Sequence, residues 1–121
     1  MDLQSKKELV IDALEAIKGR DIVVLDVSKL TSMCEILIFA CGDSNRQTRA
    51  LSHSVQEKLK EAGGIVLGVE GEQTGEWVLV DLGDIIVHIM QPAVRQYYNI
   101  EPLWGGLPYI GHSGRPVLAG Q

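Results

Sequence analysis

The chain is poor in aromatic residues, which make up 5% of its 121 positions, so each Trp and Tyr carries unusual weight. No stretch approaches the roughly 20 apolar residues a membrane span requires. Met1 to Leu9 is polar and has no apolar core of an export signal. No membrane association is therefore expected, and the expected compartment is the cytoplasm. The two cysteines, Cys34 and Cys41, lack C-x-x-C spacing, and His53, His88 and His112 are scattered. That distribution argues against a zinc site and for reduced, buried thiols. No two carboxylates on one strand show the D-x-D spacing that holds Mg²⁺ for nucleotidyl transfer. Asp26 stands alone in its strand, and Asp81 and Asp84 are divided by a glycine turn. No catalytic residue, metal or cofactor is expected.

Basic residues are missing where acids gather. Between Val69 and His88 lie Glu70, Glu72, Glu76, Asp81 and Asp84, with no Lys or Arg. Those five acids equal the formal net charge of −5, and the remaining acids balance the 11 Lys and Arg. An acidic chain is repelled by phosphate backbones, so direct nucleic-acid binding is not expected. A basic protein is the better match. By charge alone, a solvated acidic hairpin with no partner is the better reading of that stretch.

What is present is periodicity. Ser5 and Glu8 have capping-box spacing, and Leu9, Val10, Ala13, Leu14 and Ile17 recur as one helix face. Gly19 is placed to end that helix. Ile22 to Val27 and Glu35 to Ala40 are apolar runs read as strands. Gly42-Asp43-Ser44 breaks the second run and caps a helix that reaches about Ala62, with Leu51, Val55 and Leu59 on one face and Gly63-Gly64 at its end. Ile65 to Val69 reads as a third strand. Trp77 to Leu82 and Asp84 to Met90 flank Gly83 as a tight hairpin. Pro92 opens a short last helix. The expected fold is a single-domain mixed α/β protein over residues 1–104, in the order αββαβββα. Residues 105–121, rich in Gly and Pro, read as a mobile tail.

Strand parity divides the hairpin into two faces. Val78, Val80, Leu82, Ile85, Val87 and Ile89 form an all-aliphatic set suited to a core. The other face presents Trp77, Leu79, Asp81, Ile86, His88 and Met90. A large aromatic, a thioether and a carboxylate on one face resemble the centre of a protein interface. Read without that company, a strand tryptophan is core and a histidine beside it is a satisfied buried imidazole.

Three stretches together resemble the ribosomal silencing factor (Iojap-like) family. They are Asp21 to Val27 followed by Gly42-Asp43-Ser44-Asn45-Arg46-Gln47; Gly68 to Glu72 followed by Trp77 to Asp84; and Val87 to Gln91 followed by Tyr97-Tyr98 and Leu103-Trp104. The resemblance implies a fold similar to nucleotidyltransferases without their catalytic set. It implies translational repression by binding ribosomal protein number fourteen of the large subunit, so that the small subunit cannot join. It also turns the tryptophan face from core toward contact surface. The expected contact set is Trp77, Leu79, Asp81, Asp84, His88, Met90 and Tyr98. When free, such a patch could pair with its own copy, and monomer and dimer both stay open. A nucleotide-handling enzyme is the alternative, resting on the Gly42-Asp43-Ser44 turn at a helix start. Asp43 places a negative charge where phosphate would sit, which favours a plain turn and cap.

Overall fold

A computed structural model of the protein describes residues 1–98, with side chains through Arg95. Tyr98 ends the last helix, and its side chain, Leu103, Trp104 and the Gly/Pro-rich segment 105–121 lie outside the described part. The elements are α1 (Leu3–Ala16), β1 (Arg20–Asp26), β2 (Ile36–Cys41), α2 (Asn45–Glu61), β3 (Gly68–Glu70), β4 (Trp77–Asp81), β5 (Ile85–Met90) and α3 (Pro92–Tyr98). The expected order αββαβββα is the observed one.

The five strands form one sheet in the order β1-β2-β5-β4-β3. Only β2 and β5 run parallel; the other neighbours are antiparallel. A parallel pair needs a long crossover, and the chain from α2 through β4 supplies it. The pair occupies the centre of the sheet, and every residue of both strands is buried. This is why both read as nearly unbroken apolar runs.

Both long helices pack on one face. Val10, Ala13 and Leu14 of α1 and Leu51, Val55 and Leu59 of α2 meet Ile36, Ile38, Ala40, Val78, Val80, Ile85, Val87 and Ile89. The opposite face carries a smaller cluster of Leu37, Phe39, Leu79, Ile86 and Met90, partly roofed by Val27 and Cys34 from the β1–β2 connection and by Val94 of α3.

Several boundaries differ from the sequence reading. Helix α1 begins earlier: Asp2 is its cap and accepts from the Ser5 amide at 2.7 Å, while Glu8 accepts from Gln4. Lys18, at φ 61°, takes the left-handed position, and the next residue, Gly19, returns its amide to the Leu14 carbonyl. Ser44 caps α2 by accepting from the Gln47 amide. Strand β3 starts at Gly68, later than expected; Ile65, 71% exposed, precedes it, and Leu67, 65% exposed, leads into it with its amide on the Asp81 carbonyl. The hairpin is as tight as expected: Leu82 bonds Ile85, and Gly83 at φ 92° takes the first turn position that favours glycine.

Candidate functional site

Register fixes which side chains share the face away from α1 and α2. Trp77 pairs with Met90, Leu79 with His88 and Asp81 with Ile86. Beyond β5, Phe39 pairs with His88 and Leu37 with Ile86. Val23 and Leu25 of β1 continue the row. On the other flank Glu70 pairs with Leu79. Parity therefore grouped Trp77, Leu79, Asp81, Ile86, His88 and Met90 as the sheet does.

The burial of that group departs from the open face expected. Leu79, His88 and Met90 are buried, whereas Trp77 and Asp81 are half-buried. Leu79 and Met90 share a cluster with Val27, Cys34 and Val94, and the Phe39 and Trp77 rings flank His88, neighbours that nothing in the hairpin sequence announces. Glu70 on the same face is exposed.

Three rings cross three strands. The Trp77 indole Nε1 donates to His88 Nδ1 at 3.0 Å. The imidazole stacks on Phe39, with centroids 5.0 Å apart and planes inclined by 16°, and meets the indole at 5.9 Å and 50°. Burial pushes the His88 pKa down to about 3, so the ring is neutral at ordinary pH. Accepting at Nδ1 places its proton on Nε2. Phe39 was the member of this group that sequence reasoning missed. Only the parallel register of β2 on β5 brings it beside His88.

Asp81 and Asp84 do different work. Asp81 accepts from the Gly83 amide at 2.8 Å and steadies the turn on the tryptophan face. Asp84 accepts from Lys6 of α1 at 2.9 Å, at the end of the hairpin away from Trp77. The structure does not bring Asp84 together with the tryptophan.

The acidic connection between β3 and β4 is anchored to α2. Glu72 accepts from Ser52 at 2.8 Å and lies 3.2 Å from His53. Arg49 donates to the carbonyls of Glu72 and Gln73, and Thr48 donates to that of Gly75. Arg49 is thus occupied within the chain. His53 is exposed, as a surface residue of its helix should be.

The Gly42-Asp43-Ser44 turn spends its groups internally. Asp43 pairs with Arg20, and its amide donates to Gln47. Cys34 is buried, and desolvation, with smaller contributions from Asp81 and Glu35, pushes its thiol up to about 11. Such a thiol is a poor nucleophile. Cys41 is buried and accepts from Arg95 at 3.1 Å. Among the described residues, no three His, Cys, Asp or Glu side chains gather as a metal-holding group. No helix among them is long and apolar enough to cross a membrane.

Comparison with known proteins shows what the chain as a whole is similar to. A family model described as "Ribosomal silencing factor during starvation" matches residues 1–117. A Chromobacterium violaceum protein named "Ribosomal silencing factor RsfS" is 61% identical over 106 residues, spanning 88% of this chain and 87% of that one. A crystal structure of a protein from the same organism has a TM-score of 0.85 at 55% identity and covers 100% of this chain and 95% of that one. A more distant mouse protein, named "Mitochondrial assembly of ribosomal large subunit protein 1", is 27% identical over 100 residues, covering 80% of this chain and 44% of its own length.

Proposed function

Since the chain belongs to the ribosomal silencing factor family, we propose that it represses translation by docking its tryptophan face on a basic protein of the large ribosomal subunit. The family makes it a ribosome-associated regulator of translation. The finer reading is a steric one: the partner, ribosomal protein number fourteen, is held on the surface that would otherwise meet the small subunit. Binding suffices for this, and no chemical step is needed.

The observation that carries the reading is Trp77. It is half-buried on the face that α1 and α2 leave uncovered, and Glu70 and Asp81 share that face. A basic partner meets acids at the rim and an indole at the centre, the arrangement that concentrates binding energy in an aromatic anchor. Leu79, His88 and Met90 belong to the proposed set as the buried floor under the indole. Tyr98 at the end of α3 completes it, while Asp84, paired with Lys6 away from Trp77, is left out of it. The mouse relative's name ties that protein to the large subunit, which fits the choice of subunit here. The cytoplasm is the proposed place of action.

The test is binding of purified large subunits by the wild type and by Trp77→Ala. The variant is expected to keep its far-UV circular dichroism and lose affinity by about thirtyfold or more. The wild type is expected to lower the fraction of subunits that join, and the variant to leave it unchanged. Undiminished binding by Trp77→Ala would overturn the reading.

A further inference from the structure

We propose that His88 is a positioning residue whose imidazole holds the Trp77 indole in its docking orientation. The inference rests on the docking reading above and concerns what lies beneath the contact surface.

His88 cannot itself be a contact residue, because its side chain is fully buried. It reaches the surface through its neighbour. The Nδ1 lone pair accepts from Trp77 Nε1 at 3.0 Å, a directional bond that fixes the indole's rotation about its side-chain torsions. The imidazole plane is fixed in turn by stacking on Phe39. Phe39 belongs to β2 and His88 to β5, both fully buried central strands. The chain of support therefore runs from the fully buried centre of the sheet to a half-buried ring near its surface.

An indole free to swing would lose that freedom on docking, and the loss would weaken binding. An indole already held has no such loss to make. Burial leaves the imidazole neutral, which keeps the Nδ1 lone pair available as an acceptor. An aliphatic or phenyl ring at position 88 would fill the volume and offer no acceptor.

A histidine serving only as core would affect stability alone. Positioning adds a spectroscopic signature and an affinity change that can be read separately. The experiment uses the full chain, ¹⁵N-labelled, with Trp104→Phe to assign the two indole resonances. In the wild type, His88 is expected to show an unprotonated, hydrogen-bonded Nδ1, and Trp77 a slowly exchanging indole N–H. In His88→Phe the indole signal is expected to move toward its free position and to exchange faster. Affinity for purified large subunits is expected to fall roughly threefold to tenfold, the worth of one hydrogen bond. His88→Asn, which keeps an acceptor oxygen close to the Nδ1 position, is expected to restore part of both.

Should His88→Phe fail to fold, the wild-type resonances still decide: a protonated Nδ1, or a fast-exchanging Trp77 indole, overturns the proposal. Should His88→Phe displace the indole signal yet bind as tightly as wild type while Trp77→Ala does not, positioning falls and docking stands. If Trp77→Ala also binds as tightly as wild type, the docking reading falls with it.

Discussion

On the face covered by α1 and α2, the buried strand residues are aliphatic throughout: Ile36, Ile38, Ala40, Val78, Val80, Ile85, Val87 and Ile89. On the opposite face the same strands present Phe39, Cys41, Trp77, His88 and Met90 beside Leu37, Leu79 and Ile86. The first face needs only shape, because aliphatic side chains have no polar atoms to satisfy. The second holds donors and acceptors in defined pairs, such as Trp77 with His88 and Arg95 with Cys41. It also leaves one large ring half open. On the docking reading proposed above, a sheet that is uniformly aliphatic on one side and chemically mixed on the other divides stability from recognition.

The sharpest way to break that division is to damage each face in turn. Leu51→Ala removes a fully buried side chain from the helix-covered core. It is expected to cost about 3 kcal/mol of unfolding free energy, measured by urea titration, with ribosome affinity unchanged wherever the variant is folded. Trp77→Ala is expected to do the reverse. Its affinity loss corresponds to about 2 kcal/mol or more, against a melting temperature lowered by only a few degrees. If both variants lost stability alike and neither changed affinity, the two faces would be one core with no division of labour.

Much of this was legible in the sequence, and what was not has identifiable reasons. Element order and both hairpin faces follow from periods of 2 and 3.6 and from glycine placement, which are local signals. The start of α1 was misplaced because Ser5 and Glu8 have capping-box spacing, while Asp2, which caps the helix, precedes them by one turn. Ile65 looked like strand but lies outside the ladder, since β3 pairs only through Gly68 to Glu70. The burial of Leu79 and Met90 is hidden because Val27, Cys34 and Val94, which join their cluster, come from distant segments, and that of His88 because Phe39 comes from another strand. Phe39 beneath His88 depends on a parallel pairing of strands more than 40 residues apart, which no window of sequence contains. Asp84 was grouped with Trp77 through a shared acidic stretch, yet its partner is Lys6 on α1.

Acid sharpens the comparison from the mixed face. Folding lowers the His88 pKa from 6.5 to about 3. The folded state therefore favours the neutral ring. Its contribution is fully present above pH 6.5 and drains away as pH falls toward 3. From about pH 6 to about pH 5 the loss is expected to be about 1 kcal/mol, read as a shift in the urea midpoint. His88→Phe is expected to remove most of that slope. A slope unchanged in His88→Phe would assign the acid sensitivity to other groups.

The smallest effect separates two acids that look alike in sequence. Asp84 accepts from Lys6 in an ion pair, their side chains 36% and 14% exposed. Asp84→Asn should therefore lower stability by roughly 0.5 kcal/mol, as partly exposed pairs do, and leave association with the large subunit untouched. Glu70 is exposed on the tryptophan face, and its charge is free to act at a distance. Glu70→Gln should leave the unfolding midpoint in place and slow association roughly twofold at low salt. The difference should fade as salt approaches about 1 M, where the screening length falls to roughly 3 Å. Stopped-flow association at two salt concentrations, paired with urea titration of both variants, reads the crossed outcome directly. Equal slowing by Asp84→Asn and Glu70→Gln would mean that the partner senses total charge and that the tryptophan face has no electrostatic privilege.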